Sequence, residues 1–428
     1  MKIVLKILIF SLFFLLVTVL AQTTEGAEIL GDSINVPIDH NVSEKDTFVL
    51  YYEFGAEYNS EKPTVFLIAN GQQFHIRRGA VKKLQERWFD DRFNVVGIPG
   101  RIISQKLLDK AINADNSVNW EKAYQIFNSR QWCGDIDELR KHILGEEGKV
   151  MLFGGSGGAF LIHEYLARYG KHASRVFTEA AANPFLDAEL GIISDRFWDE
   201  IGNYDPRLQK KMHEILKKYV DERPEIIMTF SRQHYFFKAD KIQQARSELI
   251  DSLYNGNMEF YEKAKRDFEV NEVVSIMKTK QAIPIRVRMY EIIRPILEKV
   301  DLFGDTVYPG LEMAYNVALP LIMLNREGKI PVPLMDFSSL KNLSSDIFIL
   351  AARWDEPVDY RTQIELAKKY KHSTLFIAND DHMFKSLKES GLFKEIISTF
   401  FYYGSNSMET QKSLKNLDPY KWERKNKK

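Results

Sequence analysis

The chain has 428 residues, 45% of them hydrophobic, and its 59 lysines and arginines balance 59 aspartates and glutamates. A net charge of zero gives no overall attraction to nucleic acid or acidic membranes, so we expect neither as a partner. A chain of this length and apolar content can bury a sizeable core and exceeds one small domain. The single cysteine, Cys133, cannot form an internal disulfide, so the core alone must stabilise the fold.

The N-terminus has the features of a secretory signal peptide. Lys2 and Lys6 give a basic start, residues 7–20 form an apolar run, and Val19 and Ala21 stand where a signal peptidase recognises small residues. An uncleaved membrane anchor is the alternative, but crossing a bilayer usually takes about 20 apolar residues. We therefore expect residues 1–21 to be removed and the protein to be periplasmic or extracellular, with no stable membrane insertion.

The segment around Ser156 carries the strongest indication of function. An apolar strand is predicted over residues 149–153, followed by Gly-Gly-Ser-Gly-Gly at 154–158 and a helix over 159–168. This order is typical of a nucleophile elbow, a tight turn that exposes a serine hydroxyl above a parallel sheet. Glycines admit the backbone angles and close approaches that such a turn needs. A phosphate-binding turn is the alternative, but no Lys-Ser or Lys-Thr pair follows it.

A nucleophilic serine needs a general base and a carboxylate that orients the base. The apolar segment 346–352 predicts a strand, and Asp355 follows it by three residues. The segment 373–378 predicts another strand, and His382 stands in the loop after it. Ser156, Asp355 and His382 thus follow successive strand ends in the order expected for a catalytic triad on a doubly wound sheet.

Three other aspartates near these strand ends have different interpretations. Asp359 could replace Asp355 as the acid, but a helix is predicted from Tyr360, where an aspartate is a natural N-terminal charge. Asp380 and Asp381 are interpreted as turn residues that shape the loop of His382.

These motifs resemble those of the α/β-hydrolases, and among them the prolyl-aminopeptidase-like branch. The resemblance covers residues 34–185 and 345–403 and includes segments 35–40 and 48–54, similar to the first strands of secreted members. Segment 62–69 with the loop from Asn70 to Gln73 occupies the place of the strand and oxyanion loop of that family. Segment 135–140 resembles the helix that precedes the elbow strand. The loop lacks the His-Gly-Gly-Pro-Gly of prolyl aminopeptidases, the elbow lacks their Gly-Gly-Ser-Trp-Gly, and residues 98–101 lack an acid that they carry. The resemblance therefore implies the fold and triad more strongly than proline-specific activity.

The resemblance implies acyl transfer to water. His382 would take the proton of Ser156 during attack on a carbonyl, and Asp355 would hold the imidazole in the right tautomer. The backbone N–H of Gly157 and one from Gly71 or Gln72 would form the oxyanion hole. The expected substrate is a small molecule or short peptide, cleaved at an ester or amide bond.

An insertion of helical, charged pattern separates the two parts of the predicted core. We assign residues 22–184 and 345–404 to an α/β-hydrolase core with a mostly parallel sheet, 185–344 to a mobile helical cap that selects the substrate, and 405–428 to a basic tail. Some cap aromatics are expected to line the substrate pocket, from the set Phe230, Tyr235, Phe236, Phe237, Tyr254, Phe260 and Tyr261. An aminopeptidase would also need cap carboxylates for the substrate amine, from the set Glu225, Glu259, Glu262, Glu269 and Glu272.

No sequence pattern indicates a metal or a cofactor, since the chain has no CxxC pairs and no HExxH. Two alternatives to a serine hydrolase remain open. One is a catalytically silent binding protein on the same scaffold, which the altered oxyanion loop allows. The other is a different reaction on this scaffold, such as a haloperoxidase-like or lyase activity. The sequence leaves the oligomeric state open.

Cleavage of the signal peptide is directly testable. Protein purified from its native host should begin at or near Gln22, because Val19 and Ala21 form the recognition pair. N-terminal sequencing or intact mass spectrometry of the secreted fraction checks this. Recovery of the chain from membranes with Met1 retained would contradict cleavage and support the anchor.

Overall fold

The computed structural model describes residues 29–42, 46–69, 76 and 78–422. In these ranges eight strands form a single sheet with the order β1-β2-β4-β3-β5-β6-β7-β8. The strands are β1 Leu30–Pro37, β2 Thr47–Phe54, β3 Thr64–Ile68, β4 Asn94–Ile98, β5 Val150–Gly155, β6 Ala173–Glu179, β7 Asp346–Ala352 and β8 Ser373–Ala378.

The sheet is parallel except where β2 meets its two neighbours. β1 pairs with β2 and β2 pairs with β4 in antiparallel fashion, while β4, β3, β5, β6, β7 and β8 run parallel. The central strand β3 is buried along its whole length, as expected for a parallel strand covered on both faces. This topology is the α/β-hydrolase fold, so the predicted fold class is confirmed.

Eighteen α-helices cover the sheet and the insertion in the described part of the chain. They are α1 Val81–Trp88, α2 Gln105–Lys110, α3 Trp120–Phe127, α4 Ser129–Leu144, α5 Gly157–Tyr169, α6 Pro184–Leu190, α7 Phe197–Tyr204, α8 Arg207–Lys218, α9 Arg223–Phe236, α10 Ile242–Tyr254, α11 Met258–Asp267, α12 Val270–Met277, α13 Ala282–Ile293, α14 Pro309–Arg326, α15 Tyr360–Lys368, α16 Lys385–Glu389, α17 Leu392–Tyr403 and α18 Met408–Asn416. Short 3₁₀ helices lie at Gly100–Ile103, Gly170–His172, Leu297–Lys299, Leu340–Asn342 and Asp418–Tyr420.

Two hydrophobic clusters lie on opposite faces of the sheet. Successive residues of a strand alternate between them: Leu152 of β5 joins the face covered by α4, α5 and α15, and Phe153 joins the face covered by α1 and α17. Phe177 and Phe348 stack at 4.6 Å on the second face and tie β6 to β7. The sheet is thus held from both sides, and its strand ends form a firm base for the loops that follow them.

The region predicted as one cap is divided between two hydrophobic clusters. Residues between Phe197 and Val307 include a separate cluster built by α7 to α12. In contrast, α13 and α14 pack into the main core through Val287, Tyr290 and Leu321. Since α13 and α14 are part of the main core, only the separate cluster of α7 to α12 could move as a unit without opening that core.

A buried ion pair fixes the second half of the insertion to the core. The Arg288 guanidinium is fully buried, and it donates to Glu164 of α5 at 3.0 Å and to Glu291 of its own helix. Glu291 in turn accepts a hydrogen bond of 3.0 Å from the backbone N–H of Ser129, at the start of α4. Separation of α13 from the core would leave Glu164 without its cation and Ser129 N–H without its acceptor.

The expectation of a basic tail over residues 405–428 is wrong for residues 405–422. They contain α18, and the chain then pairs with the outer edge of β8 through N–H donations from Asn379 to Tyr420 at 2.6 Å and from Trp422 to Ile377 at 2.8 Å. The Trp422 ring lies 5.0 Å from that of Tyr360. The physical reason is that β8 is an edge strand, and its free backbone groups are satisfied by this segment. Residues 423–428 lie outside the described ranges, as do residues 1–21 of the predicted signal peptide.

No helix in the described ranges combines the length and the apolar content needed to span a bilayer.

Asp187 links the start of the insertion to the core. It lies in α6, is 9% exposed, and accepts hydrogen bonds from the hydroxyls of Thr362 in α15 and of Ser194, the latter at 3.3 Å. Burial raises the pKa of Asp187 to about 7. In the unfolded chain an aspartate has a pKa of about 3.9. The native state therefore binds the extra proton between these two values, and this group's contribution to stability is lost as the pH rises towards 7.

Asp187→Asn should remove this pH dependence, because the amide keeps the shape and cannot ionise. Relative to wild type, the variant's free energy of unfolding should improve by at most about 1.4 kcal/mol per pH unit between pH 4 and 7. Urea unfolding across that range measures it. Asp205→Asn is the control, since Arg207 lowers the pKa of Asp205 to about 2, below the pH range tested. Parallel curves for wild type and Asp187→Asn would contradict the prediction.

Candidate active site

Ser156 occupies a sharp turn between β5 and α5. Its backbone angles are φ 52° and ψ −120°, a conformation that residues other than glycine rarely adopt. The turn is held at both ends, because the N–H of Ser156 donates to the Glu179 carbonyl at 2.9 Å and its own carbonyl accepts from Phe160 at 3.0 Å. A residue held this way stores of order 1–3 kcal/mol of strain, which is common at functional sites.

The glycines before Ser156 are required by the crowding around the turn. A Cβ added to Gly154 would lie 2.8 Å from Ile162 Cδ1 and 3.0 Å from the backbone of Gly158. A Cβ added to Gly155 would lie 2.7 Å from a carboxylate oxygen of Glu179. The Gly-Gly-Ser-Gly-Gly sequence therefore allows β5, β6 and α5 to approach one another closely enough to hold the serine in place.

Asp355 and His382 meet across the ends of the adjacent strands β7 and β8. His382 Nδ1 lies 2.9 Å from both carboxylate oxygens of Asp355, and the two residues are 5% and 1% exposed. Asp355 also accepts a hydrogen bond of 2.9 Å from the N–H of Val358. Because an ionised carboxylate can only accept, Nδ1 must carry the proton, which leaves Nε2 as the acceptor in the neutral ring.

Asp359, the alternative acid, is engaged elsewhere. Its side chain caps α15 by accepting from the N–H of Arg361 at 2.8 Å, and it forms an ion pair with the Arg361 guanidinium. Asp380 accepts from the N–H groups of Ser386 and Leu387 at the start of α16. Asp359 is therefore a helix cap, and Asp380 holds the loop of His382 against the start of α16.

Ser156 and His382 border the same cavity, of about 40 Å³. Its other walls include Leu67, Ile68, Ile76, Trp88, Phe153 and Met383, together with the charged pair Glu179 and Lys388. Lys388 Nζ lies 2.9 Å from Glu179 Oε2. Within the described ranges, no direct hydrogen bond joins the side chains of Ser156 and His382. The serine and histidine thus face one small and largely apolar space with one ion pair at its edge.

The predicted oxyanion hole is described only in part. Gly157 is the first residue of α5, where backbone N–H groups have no acceptor within the helix. Gly71 and Gln72, the other predicted donors, lie outside the described residues.

Two arginines of the insertion hold the loop that carries Asp355. Arg196 donates to the backbone carbonyl of Asp355 at 2.9 Å. The fully buried Arg246 of α10 lies between Glu200, at 3.0 Å, and Glu356, the residue after Asp355. Burial raises the pKa of Glu356, so its ionised form depends on the nearby guanidinium of Arg246. The insertion therefore holds the loop of Asp355 directly.

Helix α9 brings two rings against His382. The ring centroids of His234 and Tyr235 lie 5.6 Å and 5.7 Å from that of His382, both in edge-to-face geometry. Among the other predicted pocket aromatics, Phe230 and Tyr261 belong to the separate cluster of the insertion. Phe236 packs on Phe268, Phe237 packs on Phe268 and borders a second cavity near His382, and Tyr254 and Phe260 are exposed.

Three of the five carboxylates proposed to bind a substrate amine are paired elsewhere, while Glu259 is exposed and Glu272 Oε2 is buried without a hydrogen-bond partner in the described part of the chain. Glu225 and Glu262 form ion pairs with Lys265, and Glu269 pairs with Arg232. The acids near the site are instead Glu179, Glu200 and Glu356. Glu179 and Glu356 could have been found from the sequence, since both stand at or just after the strand ends that carry the predicted site residues. Arg196, Glu200 and Arg246 carry no such signal, because they resemble ordinary charged residues of surface helices.

In the described part of the chain, no three or more His, Cys, Asp or Glu side chains are grouped as metal binding would require. Cys133 is fully buried in α4, and burial raises the pKa of its thiol.

Comparison with known proteins finds weak similarity. No protein-family model and no curated protein sequence matches the chain. An esterase from Exiguobacterium antarcticum aligns at 15% identity over 84% of this chain and 97% of its own, with a TM-score of 0.42. A bromoperoxidase from Bacillus anthracis aligns at 13% identity over 85% and 99%, with a TM-score of 0.42. A serine hydrolase from Cycloclasticus zankles aligns at 10% identity over 88% and 100%, with a TM-score of 0.42. Similarity this low transfers neither substrate nor reaction.

Removal of the Arg246 guanidinium should destabilise the protein strongly. Arg246→Met leaves Glu200 and Glu356 without their shared cation, and breaking a buried pair in this way costs about 3–5 kcal/mol. Urea unfolding measures the loss. The triple variant with Glu200→Gln and Glu356→Gln should recover most of it, because no buried carboxylate then lacks a partner.

Arg207→Met is the matched control, since Arg207 lies in the same insertion and its pair with Asp205 is exposed to solvent. The control should unfold like wild type. If Arg246→Met were as stable as Arg207→Met, the buried network would have no structural role.

Proposed function

We propose that the protein is a serine hydrolase that cleaves a carboxylic ester or amide through an acyl-enzyme on Ser156. The observation that carries this proposal is the conformation of Ser156, a non-glycine residue at φ 52° and ψ −120°, beside a histidine that a buried carboxylate orients. The strain has a use if the serine hydroxyl must stand clear of the sheet beside a general base. A binding protein without catalysis has no need for a strained backbone at Ser156.

The reaction follows from the proton positions at the site. His382 Nε2 accepts the proton of Ser156 as the Oγ attacks the substrate carbonyl, and Asp355 stabilises the imidazolium that results. The oxyanion of the tetrahedral intermediate lies at the start of α5, where the N–H of Gly157 donates to it, and we assign a second donor to Gly71 or Gln72. His382 then protonates the leaving group as its bond to the carbonyl carbon breaks. Water, activated by the same ring, hydrolyses the acyl-enzyme and regenerates Ser156.

Carboxylic esters with small acyl groups are the favoured substrate class. The cavity shared by Ser156 and His382 is about 40 Å³ and mostly apolar, which suits a short acyl chain. Aminopeptidase activity, suggested by the resemblance to prolyl aminopeptidases, is less favoured, because three of its five candidate carboxylates, Glu225, Glu262 and Glu269, are already paired with Lys265 and Arg232. The basic and apolar N-terminus supports action outside the cytoplasm, after removal of residues 1–21.

Removal of the nucleophile or the base should abolish hydrolysis of p-nitrophenyl acetate. Ser156→Ala and His382→Ala should each lower kcat by about 10³ or more, and the double variant should lose no more than either one, because triad members act as a unit. Ser338→Ala, at an exposed serine outside any strand-turn-helix setting, is the control and should keep full activity. A folded Ser156→Ala protein that retained wild-type kcat would refute the proposal, and additive losses in the double variant would give His382 another role.

A further inference from the structure

A second cavity lies between the insertion and the loop that carries His382. Its volume is about 320 Å³. One wall comes from α7, α9 and α10, and the other from Trp354 and Glu356 after β7 and from Asp381 and His382 after β8. His382 therefore borders both this cavity and the smaller one that contains Ser156.

His234, near the end of α9, borders this cavity with an unsatisfied ring. It is 7% exposed, and its ring stands perpendicular to that of His382. Neither of its ring nitrogens has a hydrogen-bond partner among the residues that the structure describes. Burial lowers the pKa of His234 well below its ordinary value, so the ring is neutral and offers one donor and one acceptor.

Gln243 contributes a second unsatisfied group to the same cavity. Its Nε2 donates to Glu200 at 2.8 Å, while its Oε1 has no partner in the described part of the chain. Native proteins leave few buried polar atoms unpaired, and those that they leave often belong to functional sites. Rotation of the His234 ring about its Cβ–Cγ bond is the movement that would turn a nitrogen towards a ligand in the cavity.

The charges around the cavity are already balanced. Glu200 and Glu356 border it, Arg246 pairs with both of them, and a second guanidinium, that of Arg196, lies 3.6 Å from Glu200. Asp381 also borders it and lies 3.4 Å from Lys385 Nζ. No carboxylate here needs a cationic ligand as a partner. The aromatic rings of Tyr204, Phe237 and Trp354 supply flat apolar walls beside the polar groups.

We propose that this cavity binds the leaving group of the substrate, and that this group is neutral and carries a hydroxyl or an amide that pairs with His234 and Gln243. The inference rests on the proposed hydrolase function for its catalytic part, since the leaving group must lie beside the ring that protonates it. In this arrangement His234 is a specificity residue for the leaving group, and the acyl group binds in the smaller cavity that contains Ser156.

Two acetate esters with leaving phenols of similar acidity test the proposal: 4-acetamidophenyl acetate, which carries an amide, and 4-propylphenyl acetate, which does not. Wild type should have the higher kcat/KM for the amide ester. His234→Phe keeps a ring and removes both nitrogens, so it should lower this preference, taken as the ratio of the two kcat/KM values within each variant, by between about twofold and tenfold. His213→Phe, at a histidine of α8 that packs on Trp198, should keep the wild-type preference.

A binding measurement with an inactive variant tests the leaving-group site independently of the proposed reaction. Calorimetry should detect binding of 4-acetamidophenol to Ser156→Ala and weaker binding when His234→Phe is added. Gln243→Met provides a second variant with the same expected direction if His234→Phe fails to fold. His234-dependent binding without hydrolysis of either ester would support this site and refute the hydrolase function. Equal kcat/KM for both esters in wild type, with binding of the phenol unchanged by the variants, would overturn the inference.

Discussion

The hydrogen bond between Asp355 and His382 is the interaction on which the rest of the site depends. It forms between buried groups at the ends of adjacent parallel strands, so the register of β7 against β8 sets the distance between them. The C-terminal segment at Trp422 covers the outer edge of β8 and holds the strand that delivers His382. On the other side, Ser156 is fixed by the close approach of β5, β6 and α5 around two glycines.

The insertion covers Asp355 and also holds the loop on which it lies. Arg196 and Arg246 reach the loop of Asp355 from the insertion, and α9 places two rings against His382. Separation of the insertion from the core would break the buried ion pair of Arg246 with Glu356 and expose His382. The cavity between α7, α9, α10 and the loop of His382 lies at this junction.

Local pattern was enough to predict the core of the fold and the arrangement around Ser156. The apolar segments 346–352 and 373–378 are strands with the predicted bounds, because a buried parallel strand needs a short, continuous apolar run. The ionic network of Arg246, Glu200 and Glu356 could not be predicted, since its members lie 46 and 110 positions apart and each looks like a solvent-exposed charge. The C-terminal segment was predicted to be a tail because it is rich in basic residues and has few apolar ones. Among these few, Leu417 is buried and Trp422 packs on Tyr360.

The central claim is that Ser156 is a nucleophile activated by His382. Labelling the folded protein with a fluorophosphonate, followed by proteolysis and mass spectrometry, tests it most directly. We expect a single phosphonyl adduct on the peptide that contains Ser156, and loss of the adduct in a folded His382→Ala variant. An adduct on another serine, or labelling of Ser156 that is unchanged without His382, would contradict it.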